Sequence, residues 1–201
     1  MKKAFEIIAA EPLYRGFLQL KRYRLRHTSF HGGWCPEVVR ERIEGLNAVS
    51  VLLYDPERDQ VVMVEQFRVG AMEDPAGPWV LETVGGYRPP GESPESVARR
   101  EALEEADCRL LALEPICRFY TSPGLSSEQI QLYCARVDAS RAGGVHGLPE
   151  EGEEVRVVVL SAEQAIAALY GRINSTSSLI SVQWFAAHRQ ALRQRWLGAP
   201  G

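Results

Sequence analysis

Two apolar runs, residues 48–54 (AVSVLLY) and 61–67 (VVMVEQF), flank the turn-rich segment Asp55-Pro56-Glu57-Arg58-Asp59. Short runs rich in Val and Leu, joined by an Asp/Pro-led loop, read as a β-hairpin. A hairpin this apolar commits the chain to a core built around a sheet. Further strand-like runs lie at 79–84, leading into Gly85-Gly86, and at 116–121, 130–137 and 155–160. Helices are few. One is predicted over 94–106. A second is predicted over 162–170, opened by the capping box Ser161-Ala162-Glu163-Gln164 and stopped at Gly171. A third is predicted over 178–197, ending before Gly198 and Pro200. Strands interleaved with so few helices, in mixed order, predict an α+β fold in a three-layer sandwich rather than a doubly wound sheet.

The first 45 residues differ in character. Residues 17–26 (FLQLKRYRLR) and 37–43 (EVVRERI) read as strands on either side of a turn region at 32–36, which predicts a small antiparallel sheet. Two exposed strands are marginal alone, so this part is expected to lean on something else, such as another subunit. The chain therefore divides into a 1–45 β subdomain and a 46–201 main domain. Its 201 residues suffice for one mid-sized domain with a small appendage. With 23 Lys and Arg against 26 Asp and Glu, the net charge of −3 gives no electrostatic case for nucleic acid or an anionic membrane as partner. No apolar run approaches the roughly 20 residues of a membrane helix, and Glu6 and Glu11 interrupt any signal-like core in the opening segment. The four cysteines, Cys35, Cys108, Cys117 and Cys134, form no C-x-x-C pair, as expected of free thiols in a reducing cytoplasm. The scattered histidines His27, His31, His146 and His188 show no metal-binding spacing.

The informative stretch is residues 86–108, GYRPPGESPESVARREALEEADC. Ser93 is a good N-cap, Pro94 suits the first helical position, and Glu95 complements the positive end of the helix dipole. Further along, Glu101 and Glu105 are four residues apart and share a face, with Glu104 beside them. Three neighbouring carboxylates repel each other, more so if desolvated, and helix stability does not require them. A cluster of hard oxygen donors for Mg²⁺ or Mn²⁺ would remove the repulsion. Arg100 is placed to pair with Glu104 and fix its rotamer. Taken alone, the cluster also reads as a solvated acidic helix face.

The surroundings decide between these readings. The stretch resembles the Nudix box, G-x5-E-x7-R-E-U-x-E-E-x-G-U with U apolar: Gly86, Glu92, Arg100-Glu101, Ala102, Glu104-Glu105 and Cys108 occupy their positions. Asp107 stands where the box has its last Gly. An Asp there would enter the left-handed conformation at a cost of about 1 kcal/mol and add negative charge at the wrong end of the helix dipole. Across nearly the whole chain the sequence is similar to the bacterial ADP-ribose pyrophosphatases of the Nudix superfamily. The stretches that carry this are 13–27, 61–68 (VVMVEQFR), the box, 122–128 (SPGLSSE), 145–157 (VHGLPEEGEEVRV) and the final helix with Trp184.

The resemblance implies a Nudix α/β/α sandwich with a mixed sheet. It implies Mg²⁺-dependent hydrolysis of ADP-ribose to AMP and ribose 5-phosphate, with Mn²⁺ as a possible substitute cation. The metal set carried over is the carbonyl of Gly85 with Glu101, Glu105 and Glu153, and Glu104 alongside. Glu151 is the implied general base, with Glu150 and Glu154 as alternatives one register away. The implied substrate contacts are Phe17, Leu18, Arg40, Glu41, Arg68, Tyr87, Ser122, Pro123, Gly124 and Glu128. The family also implies a homodimer in which the N-terminal sheets swap and each site draws on both chains. Two other functions stay open: the same hydrolysis on sugar nucleotides or dinucleotides, and a non-catalytic ADP-ribose sensor. The intact Glu92, Glu101, Glu104 and Glu105 weigh against the sensor.

Overall fold

The computed structural model describes residues 2–148, 150 and 152–198. Its chain forms two compact units. One comprises residues up to Asn47 together with Tyr120–Gln129; the other comprises Ala48–Phe119 with the residues from Ile130 onward.

The first unit carries a three-stranded antiparallel sheet in the order β1 (Phe5–Arg15), β2 (Gln19–His27), β3 (Val38–Glu44). The strand at Phe5–Arg15 is not legible in the sequence. All its residues are exposed, so no burial imposes an alternation, and register shifts between Ile7 and Ala9 and between Pro12 and Tyr14 break the period further. Cross-strand ion pairs join Glu11 and Glu41 to Arg22, and Glu6 to Arg26. Segment 120–129 belongs to this unit because it runs along the end of β3: Ile43 N–H donates to Leu125 O, and Ser127 N–H donates to Ile43 O.

The second unit is the three-layer sandwich. The predicted hairpin is β4 (Ala48–Asp55) and β5 (Gln60–Phe67). Asp55 holds its turn by accepting from the backbone N–H groups of Glu57 and Arg58. β6 (Trp79–Glu82), β7 (Val84–Tyr87), β8 (Ala112–Tyr120), β9 (Gln129–Arg136), β10 (Val145–His146) and β11 (Val155–Ser161) complete the strands. The sheet order is β10-β11-β5-β4-β9-β8, with β6 on β5 and β7 on β4. β4 and β9 are parallel and β4 and β5 antiparallel, so the sheet is mixed as expected.

Strand periodicity distributes side chains to two cores. Val49, Val51 and Leu53 of β4 and Val62 and Val64 of β5 pack with Val97, Ala98 and Ala102 of α1 (Pro94–Ala106). The alternate residues, Leu52, Tyr54, Val61 and Met63, pack with Val182, Phe185 and Leu192 of α3 (Thr176–Gly198). Burial on both faces explains why these strands read as continuous apolar runs. α2 (Ala162–Ala167) opens with the predicted capping box but ends three residues before 170. Tyr170, not Gly171, takes the left-handed conformation after it, at φ 64°. Other element ends differ from expectation by a few residues; the largest shift is β8, which starts at Ala112 rather than 116.

Residues 79–84 differ more substantively. They form two strands rather than one, broken at Thr83, because β6 adds to β5 whereas β7 adds to β4. Thr83 is buried at the break. Its N–H donates to Ser178 Oγ at 3.0 Å, and its hydroxyl lies 2.6 Å from Ser50 Oγ. Polar groups that would otherwise be orphaned inside the core are thereby satisfied.

Candidate active site

α1 begins as the sequence predicts. Ser93 Oγ accepts from Ser96 N–H at 3.1 Å, Pro94 follows, and Glu95 lies in the first turn. Its last turn ends at Asp107, in the left-handed conformation with φ 48° and ψ 35°. Asp107 N–H still reaches Leu103 O and Cys108 N–H reaches Ala102 O, so replacing the box Gly leaves the helix stop intact.

The helix turns one acidic face inward. Glu101 is 8% exposed and Glu105 3%. Glu105 Oε2 accepts from Gly85 N–H at 3.0 Å, which ties α1 to β7. Gly86 leaves room for the Glu101 carboxylate: a Cβ there would displace that side chain. Arg100 gathers the remaining charge: its Nη1 lies 2.9 Å from Glu101 Oε1 and 2.8 Å from Glu104 Oε2, and its Nε is 3.8 Å from Glu92. The Arg100–Glu104 pair is as expected, but the contact with Glu101 is not. The i, i+4 spacing shows only the former; the latter requires Glu101 to bend back toward its neighbour.

The acidic loop after β10 closes on the same helix. Gly147 N–H donates to Glu104 O at 3.3 Å, and Glu153 N–H donates to Leu148 O at 3.2 Å. Glu153 thereby comes near enough to act on both inner carboxylates. Burial pushes Glu105 up to about 8, reinforced by the charges of Glu101 and Glu153 and opposed by the Gly85 N–H and Arg68. Burial also pushes Glu101 up to about 7, opposed by Arg100 and reinforced by Glu104 and Glu153. The implied base, Glu151, lies outside the described residues.

Arg68, just past β5, donates from Nε to Glu82 Oε2 at 2.6 Å. Glu82 is a candidate that sequence reasoning missed, through its hold on Arg68. Its only signal is a charged residue ending the otherwise apolar run WVLE. Tyr87, at the end of β7, is exposed, and its carbonyl accepts from Arg100. The other substrate candidates all belong to the first unit. Phe17 is 86% exposed and Leu18 is exposed in the β1–β2 turn. Arg40 and Glu41 are exposed on β3, with Glu41 paired to Arg22. Ser122, Pro123, Gly124 and Glu128 lie on the segment along β3, where the Glu128 carboxylate accepts from Thr121 Oγ1 at 2.7 Å.

Among the described residues, no three Asp, Glu, His or Cys side chains stand close enough together to hold a metal ion as they are placed. The chemistry of the donor set nevertheless fits a hard divalent cation. The donors are carboxylate oxygens, two of them are desolvated, and both are held toward the neutral form by burial and by like charges. A positive charge at that point would relieve both effects.

A mixed sheet between two helical layers, with a glutamate-bearing helix docked on a Gly-Gly strand, defines a NUDIX hydrolase. Residues 46–181 match the NUDIX domain, and the chain belongs to that family of enzymes. It is 45% identical over 196 residues to the ADP-ribose pyrophosphatase of Escherichia coli (strain K12), covering 97% of this chain and 94% of the relative. It is 39% identical over 195 residues to that of Haemophilus influenzae, covering 95% and 90%. A crystal structure of an ADP compounds hydrolase superposes with a TM-score of 0.66 at 18% identity, covering 92% of this chain and 95% of the other, a likeness of fold.

Proposed function

We propose that this enzyme hydrolyses the pyrophosphate of ADP-ribose to AMP and ribose 5-phosphate, using Mg²⁺ or Mn²⁺. The observation that carries the reading is the approach of two sequence-distant acidic elements: the inner face of α1, which Glu105 ties to Gly85, and the loop around Glu153, whose charge acts on Glu101 and Glu105. The near full-length similarity to two ADP-ribose pyrophosphatases supports the choice of substrate.

In this mechanism Glu101, Glu105, Glu153 and the carbonyl of Gly85 hold the cation, with Glu104 completing the acidic surround. When bound, it neutralises the pyrophosphate and lowers the pKa of coordinated water. Arg100 holds Glu101 and Glu104 in place beforehand, so little side-chain freedom remains to be lost on binding. Arg68, anchored through Nε by Glu82, presents its outer nitrogens as a fork suited to a phosphate. Glu151 takes the proton of the attacking water. Gly152, at φ 70°, gives this loop a turn that other residues adopt only with strain. Phe17 stacks on the adenine, and Leu18, Arg40, Glu41, Tyr87, Ser122, Pro123, Gly124 and Glu128 complete recognition of the nucleoside and the terminal ribose.

The enzyme works as a homodimer with exchanged N-terminal sheets. Supporting this, β1 exposes Phe5, Ile7, Ile8, Leu13 and Tyr14 to solvent along its length, an apolar surface that a partner would cover. An active monomer in light scattering refutes that assembly. Four free cysteines fit a cytoplasmic setting. The deciding assay follows nucleoside monophosphate release from ADP-ribose, a sugar nucleotide and a dinucleotide, each with Mg²⁺ and with EDTA. Fastest turnover of ADP-ribose, abolished by EDTA, is expected; preference for another substrate, or activity that survives chelation, overturns the reading.

A further inference from the structure

Segment 122–128 lies some 80 residues beyond β3 in sequence, yet it is stitched to the end of that strand. Ile43 N–H donates to Leu125 O at 2.8 Å, Ser127 N–H returns to Ile43 O at 3.2 Å, and Gly45 N–H donates to Ser127 Oγ at 2.9 Å. Ile43 and Ser126 form a parallel bridge. The approach is close enough that Gly45 tolerates no side chain: a Cβ there would collide with the backbone nitrogen and Cα of Glu128 and stand 2.6 Å from its Cβ. Its φ is not in the left-handed region, so space rather than backbone freedom requires the glycine. Within the segment, Ser126 Oγ accepts from Glu128 N–H at 3.0 Å and Thr121 Oγ1 donates to the Glu128 carboxylate. The side chain of Glu128 is therefore aimed from within the segment that the stitch holds.

We propose that Gly45 and Ser127 are positioning residues for substrate recognition: their contact holds the 122–128 segment against β3, so that Arg40 and Glu41 on the strand and Ser122, Pro123, Gly124 and Glu128 on the segment act as one rigid recognition surface. The proposal rests on the substrate assignment above. None of the catalytic carboxylates lies in this unit. Loosening the stitch therefore weakens substrate capture and spares the chemical step, an effect on KM rather than kcat.

The test uses the full chain with Ser127→Ala, Ser127→Thr and Gly45→Ala. Removing the single hydroxyl acceptor in Ser127→Ala is expected to raise KM for ADP-ribose about fivefold, with kcat held within about twofold. Ser127→Thr keeps the hydroxyl and restores the wild-type KM. Gly45→Ala forces the strands apart and raises KM further, on the order of 20-fold or more, wherever it folds. Calorimetric titration of ADP-ribose in EDTA gives the same order of weakening in Kd without depending on turnover, and the Mg²⁺ concentration for half-maximal activity stays at the wild-type value. A purely structural contact would lower Tm and leave KM alone. Ser127→Ala at the wild-type KM and Kd overturns the proposal whether or not Gly45→Ala folds. A wild-type enzyme that releases no AMP from ADP-ribose fails the functional reading instead, so the two failures are distinct.

Discussion

Glu105 is the residue at which function and stability oppose each other most directly. Its carboxylate is 3% exposed, accepts one backbone N–H, and is pushed from an ordinary 4.5 up to about 8 by burial and by Glu101 and Glu153. Because the folded value lies above the unfolded one, the folded state holds this proton more tightly. The resulting stability is present in full below about pH 4.5 and is lost as pH rises toward 8. At pH 7.5 the linkage amounts to about 4 kcal/mol at most, and coupling with Glu101 reduces it to the order of 3. Glu105→Gln removes the charge, keeps an oxygen for the Gly85 N–H, and nearly preserves volume. In EDTA at pH 7.5 it should therefore raise Tm by roughly 6–10 °C, at about 2–4 °C per kcal/mol for a chain of this size. At pH 5 the gain should shrink to about 1 kcal/mol or less. Mg²⁺ should raise the Tm of the wild type and leave that of the variant nearly unmoved, because the variant lacks one of the proposed ligands. Scanning calorimetry at both pH values, with EDTA and with Mg²⁺, reads all of this. A gain of the same size at pH 5 and 7.5, or no gain in EDTA at pH 7.5, refutes the assignment of a desolvated, charge-crowded carboxylate.

Other expectations follow from individual residues. Glu151→Gln should lower kcat on the order of 10²–10³-fold while leaving Mg²⁺ affinity near wild type; if the loss appears instead at Glu150 or Glu154, the base is one of those. Asp107→Gly should stabilise by about 0.5–1 kcal/mol without changing activity, since it relieves a left-handed Asp at a helix C-terminus, and urea titration measures this as a higher midpoint at equal slope. Glu82→Ala should raise KM for ADP-ribose by about tenfold by removing the acceptor that anchors Arg68 Nε, while Glu82→Gln, which keeps an acceptor oxygen, recovers part of the loss.

The sandwich was legible in the sequence because its strands are buried on two faces and its helix ends use strong local signals: Ser93-Pro94 before α1 and the Ser161–Gln164 box before α2. β1 was not legible, since a strand exposed on both faces has no period to reveal it. The break at Thr83 was also hidden, because a change of strand partner leaves no mark on an apolar run. In the site, Glu101, Glu104 and Glu105 were readable from helical spacing alone, whereas their meeting with Glu153 depended on a resemblance. Arg100 was expected on one carboxylate and stands between two. Glu82 was overlooked because its role follows from β6 lying beside β5, a tertiary fact that brings Arg68 within reach.

The break at Thr83 explains how one short segment serves two neighbours. Had residues 79–87 continued as a single strand on β5, Gly85 would extend along that edge. Because the chain instead shifts to β4, Gly85 pairs with Ser50 and its N–H meets Glu105, while Glu82, three residues earlier, stays on β5 and holds Arg68. A shift of this kind inside a core would leave a backbone donor unpaired, at about 1–3 kcal/mol. Ser178 at the start of α3 supplies the acceptor, and Ser50 on β4 takes the Thr83 hydroxyl. Three buried hydroxyl side chains thus fix the spacing between Arg68, proposed above to face a phosphate, and the glycine bonded to Glu105. Ser178→Ala should accordingly weaken Mg²⁺ activation and ADP-ribose binding together. A variant that loses only one of the two would show that the elements on either side of Thr83 are positioned independently.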